Sequence, residues 1–197
     1  MLLAISHHPV APARRGIQAL EAITQVGATD RAVHATLIVI IFAMLFSFTT
    51  YTLSRTRRHI CALAWVAFFA GSMSVIVAAL TDGFFVPAFA ERYLRTMPID
   101  AAPGLAILNA ASVAIQVLTR FGFLALGAAT LFWSIDLLLE RGQERVIALL
   151  GVVVAIAVAA MLLFGGTIDV HSLLFIVGLQ SLWYLALAWR MIAAPRQ

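Results

Sequence analysis

Apolar residues run in long blocks along this chain, and short stretches between the blocks hold most of its arginines, prolines and acids. Residues 32–53, 60–81, 146–164 and 172–189 form four such blocks. Each is close to the ~20 residues that carry an α-helix across a hydrocarbon core. A fifth run, residues 104–139, is longer than one ordinary crossing and contains Arg120 near its middle. It is either one long helix or two short ones.

Loop charge bears on the choice because arginines gather in short cytoplasmic loops. With one helix, Arg55, Arg57, Arg58, Arg141, Arg145, Arg190 and Arg196 fall on one side and Arg14, Arg15, Arg31, Arg92 and Arg95 on the other, seven against five. With two helices the count becomes three against nine and the implied orientation reverses. Turn chemistry decides where charge does not. Splitting the run requires a turn near Thr119-Arg120-Phe121-Gly122, which offers no Pro, no Asn-Gly and no polar cluster. The expected fold is therefore an all-α polytopic transmembrane bundle of five spans (six being the alternative), its N-terminus outside and its C-terminus in the cytoplasm.

Two segments flank this pattern. Residues 1–31 are expected to be an extracytoplasmic arm in which Ile17, Leu20, Ile23 and Val26 line an amphipathic helix on the membrane surface. The remainder, residues 32–197, is the bundle. Within it residues 82–103 hold Asp82-Gly83, Pro87, Pro98 and Pro103 among phenylalanines, a composition that predicts short broken pieces capping the outer ends of the helices, with one short helix over residues 87–94.

Composition agrees with the pattern: 63% of the residues are hydrophobic, 11% are charged, and mean hydropathy is +1.01. A soluble domain carries about a quarter charged residues. The net charge of +4 is accounted for by arginines at span ends, so no nucleic-acid partner is expected. All 13 basic residues are Arg, and with the abundance of Ala this bias favours a bacterial inner membrane. A single cysteine, Cys61, excludes an intramolecular disulfide and any Cys-based metal site.

The candidate chemistry comes from depth. His34, Asp82, Arg120 and the segment holding Asp169 and His171 all fall toward the outer end of their spans, and Asn109, Gln116 and Arg120 share one face of a helix. Ionisable groups at the edge of a bilayer pair with one another, and Asp82 with Arg120 is the expected pair. His34, Asp82, Asp169 and His171 together suit Zn or another divalent metal, backed by Arg120, Gln116 and Asn109. His34 and His171 alternatively suit the two axial positions of haem b. Each residue also has a plainer reading: helix packing for Asp82 and Arg120, a helix cap for Asp169, an interfacial position for His34. No metalloenzyme motif is present.

Three functional classes follow. The first is a membrane protein with a polar ligand- or metal-binding pocket at the outer end of the bundle. The second is a structural or accessory subunit without chemistry of its own. Transport ranks last, because only Ser72, Ser74 and Gln180 are polar near the midplane. Besides membrane lipids, the expected partner is a membrane protein or a second copy docking on span four, where Gly151, Ala155 and Ala159 make a small-residue face.

Overall fold

The computed structural model describes residues 16–55, 59–96, 100–139 and 145–193. They form α1 (Ile17–Leu53), α2 (His59–Leu80), a π-helical turn (Thr81–Phe85), α3 (Val86–Thr96), α4 (Ala102–Leu139), α5 (Arg145–Phe164) and α6 (Val170–Ala193). Among the described residues there are no strands, and five helical stretches are long and apolar enough to cross a membrane. The 104–139 run is indeed one helix, α4, with Asp100 Oδ1 accepting the Ala102 amide at its start and Pro103 in the first turn, where a missing N–H costs nothing.

Two expectations are corrected. Residues 17–27 do not form a separate surface helix; they are the first turns of α1, which runs unbroken for 37 residues. At about 1.5 Å per residue that is roughly 55 Å, well beyond a ~30 Å hydrocarbon layer. Nor does the proline-rich segment break into pieces. α2 continues through the π-turn into α3, giving one span from His59 to Thr96. The reason is local. In a regular α-helix the ring of Pro87 would press on the carbonyl of Gly83 and leave that carbonyl without its donor. The wider turn over Thr81–Phe85, in which the Val86 amide reaches Thr81, absorbs the mismatch without ending the helix.

The chain divides into two compact units. The first comprises residues 1–43 and 74–119. At one end of it Leu20, Ala90 and Leu108 form a small core, one residue each from α1, α3 and α4, with Ile23, Val86, Phe89, Tyr93 and Leu105 packed around. The exposed side of α1 is polar at Gln18, Glu21, Gln25 and Arg31 and becomes apolar from Val39 and Phe42 onward. Likewise the second span exposes Val77, Leu80, Phe84 and Phe85 before it exposes Arg92, Arg95 and Thr96. These helices thus have a water-facing part with its own apolar core and a lipid-facing part.

The second unit comprises residues 44–73 and 120–197. Its centre is aromatic: the Phe48 ring lies 4.6 Å from both Phe68 and Trp133, 5.1 Å from Tyr184 and 6.4 Å from Trp183. α5 turns Ala148, Gly151, Val154, Ala155, Val158 and Leu162 inward at helical spacing. Its other face, with Val146, Leu149, Val153, Ile156 and Leu163, is exposed and apolar.

Candidate functional site

The most concentrated polar chemistry of the first unit lies where its surface changes from polar to apolar. Asp30 and His34 stand four residues apart on α1, so one helical face carries both. His34 Nδ1 lies 2.9 Å from the Asp30 carbonyl oxygen and 3.2 Å from the Asp30 carboxylate, and His34 Nε2 lies 3.4 Å from Asp82 Oδ2. The Asp30 and His34 side chains are 8% and 6% exposed, whereas Asp82 is 34% exposed. The imidazole is therefore enclosed between an interior carboxylate and one that borders the outside.

The π-turn makes this possible. It carries Asp82 and sets Gly83 directly against the imidazole, so closely that a Cβ on Gly83 would stand 2.4 Å from His34 Cβ and 2.6 Å from Nδ1. Only a residue without a side chain lets the ring reach both carboxylates. At the rim Glu91 joins Arg31, at 3.8 Å, and Arg95, at 2.6 Å. These pairs are about half exposed or more and add little stability. The form of the imidazole that donates from both nitrogens suits this geometry.

The expected site residues do not all meet. His34 and Asp82 come together, and Asp30 joins them. Asp169 is occupied otherwise: its Oδ1 accepts the Ser172 amide at 2.8 Å, the N-cap arrangement for α6. Hydrogen bonding to Ser172 holds this carboxyl below the usual carboxylate range. His171 is exposed in the first turn of α6. Among the described residues no group of three or more His, Cys, Asp or Glu is arranged to hold a metal ion, so the expected metal quartet gains no support. Axial haem ligation by His34 fails on similar grounds, since both of its ring nitrogens face carboxylates.

No family model, curated protein or solved structure matches the chain.

Arg120, expected to pair with Asp82, instead donates from Nη2 to the Gly166 carbonyl, two residues beyond the end of α5. A cation at that position satisfies a carbonyl at the helix's negative end. Of the residues expected behind the site, Gln116 is half-buried and Asn109 is exposed on α4.

A second buried ion pair belongs to the other unit. Arg55 Nε donates to Asp136 Oδ2 at 2.8 Å, with Asp136 fully buried and Arg55 13% exposed. The guanidinium also lies 5.4 Å from the centre of the Tyr51 ring. In the sequence Arg55 lies one turn beyond Tyr51, and in the structure it sits two residues past the end of α1.

Proposed function

We propose that the chain is a multi-pass protein of a bacterial inner membrane, with its N-terminus outside, that binds a small cationic ligand at the Asp30–His34–Asp82 cluster. The observation that carries this reading is a buried imidazole held between two carboxylates, one of them a third exposed, at the level where the protein surface turns from polar to apolar. Ionisable groups are expensive at such a depth, and their commonest justification is function. A ligand with an ammonium group brings positive charge and N–H donors, which suit the carboxylate oxygens of the partly exposed Asp82. Asp82 is the first contact because it is the exposed member. Orientation and membrane rest on the seven-to-five arginine count and the all-arginine composition.

The alternative, an accessory subunit in which the cluster only ties α1 to the second span, draws support from the exposed apolar row on α5, which suits a protein partner as well as lipid. A thermal-unfolding titration of the detergent-solubilised protein separates the two. Ethylammonium chloride should raise the midpoint above that in sodium chloride of equal ionic strength, and Asp82→Asn should abolish the difference. Equal midpoints in the two salts for the wild-type chain, or an undiminished ammonium effect in Asp82→Asn, would leave the accessory reading in place.

A further inference from the structure

The aromatic centre of the second unit holds a set of polar atoms that its packing does not satisfy. Tyr51 Oη, Trp133 Nε1, Ser134 Oγ and the Gln180 amide nitrogen are all buried without a hydrogen-bond partner among the described residues. Their residues are 3%, 0%, 0% and 3% exposed. They come from three different helices, α1, α4 and α6. Buried polar atoms in proteins are nearly always bonded, so several exceptions in one place call for a partner.

Contacts tie three of these residues to one aromatic stack, and helix spacing brings Gln180 to the same side of α6 as that stack. The Tyr51 and Trp133 rings are 6.2 Å apart, Trp133 and Trp183 are 6.3 Å apart, and Ser134 Oγ and Trp183 Nε1 both border Gly151. Gln180 lies one helical turn before Trp183 and Tyr184, on the face they share. Trp183 shows the ordinary outcome for an indole here, with its Nε1 donating to the Ile147 carbonyl at 3.1 Å. Trp133, in the same stack, has no such carbonyl.

We infer that Tyr51, Trp133, Ser134 and Gln180 form a binding site for a small neutral molecule that presents oxygen acceptors. The donor chemistry sets the class. An indole N–H and an amide N–H only donate, so the occupant must accept. A cation is excluded by those donors. An anion is disfavoured because the nearby Arg55 is already paired with Asp136. Two sources offer the acceptor: water, and the carbonyl of a ketone or quinone arriving through the lipid phase. Flat apolar rings on several sides suit the second, and full burial suits either.

The test uses the intact chain in detergent. Tyr51→Phe, Ser134→Ala and Gln180→Leu each remove one of these groups with little change of shape. If the site is filled, each should lower the unfolding midpoint by about 2–4 °C, because an occupant loses a bond. Subtracting the resonance Raman spectrum of Trp133→Phe from that of the wild type isolates the Trp133 indole, whose N–H should be hydrogen-bonded. Methyl dodecyl ketone, compared with the alkane of equal length, then distinguishes the sources. Stabilisation of the wild type and not of Gln180→Leu identifies a lipid-phase carbonyl, and no difference from the alkane identifies water. A non-bonded Trp133 indole, with the three variants melting at or above the wild type, would overturn the inference.

Discussion

At the scale of single residues, Gly83 is the position on which the candidate site depends. Its hydrogen atom faces the His34 ring where any Cβ would be 2.4–2.6 Å from three ring-side atoms. Gly83→Ala gains helix propensity, worth up to ~1 kcal/mol. The clash with a buried ring outweighs it, at about 1–3 kcal/mol, so the variant should melt below the wild type. Gly166→Ala, whose Cβ would meet nothing within 4 Å, serves as the control and should melt with the wild type. Placing Gly83→Ala on a His34→Gly background, which removes the His34 Cβ as well as the ring, should remove most of its cost. Full cost on that background would mean that the clash lies elsewhere. This residue pair also marks the limit of sequence reading. His34 and Asp82 stand out in the sequence as polar residues in apolar surroundings, and the four-residue spacing of Asp30 from His34 is visible there too. The role of Gly83 depended on a helix that had not been foreseen. Arg120 was legible as a residue needing a partner, and its partner was not, because a backbone carbonyl leaves no trace in composition.

At the scale of elements, the long helix α4 was readable because the middle of residues 104–139 lacks anything that makes a turn. The second span was not, since Asp82-Gly83 and Pro87 are ordinarily breakers and one π-turn neutralises them. The first turns of α1 were read as a surface helix for a related reason. Their polar positions do face water, but along the extension of a span and not in the plane of a membrane. The start of α6 permits a quantitative check through pH. The Asp169 carboxyl titrates below its unfolded value of about 3.9 because Ser172 bonds its charged form. A depressed folded value means that the cap stabilises fully above the unfolded value and loses its effect as pH falls through the folded one. The difference in unfolding midpoint between the wild type and Asp169→Ala should therefore be constant near neutral pH and shrink below about pH 4. A gap that stays the same width in acid would show that the charged form is not what holds the turn.

For the whole molecule the decisive issue is which residues lie in lipid and which side the polar ends face. Hydropathy located five spans, yet three of the stretches that contain them, at 37, 38 and 38 residues, are longer than a bilayer needs, so length alone does not say where the membrane stops. Surface chemistry does: Gln18, Glu21, Gln25 and Arg92 are exposed and polar, and Val39, Phe46, Val66 and Val117 are exposed and apolar. Single cysteines at these positions, on a Cys61→Ala background, convert the reading into accessibility. A membrane-impermeant maleimide added to intact cells should modify the Gln18, Gln25 and Arg92 replacements and spare those at Val39, Phe46, Val66 and Val117. Modification of the first group only in inverted vesicles would reverse the orientation and place the Asp30–His34–Asp82 cluster toward the cytoplasm, where its ligand would have to come from the cell interior. Protection of Gln25 from both sides would instead sink the water-facing extension itself. Each result bears on function, since a cluster with Asp82 open to water can capture a soluble cation, and one sealed in lipid can only join helices.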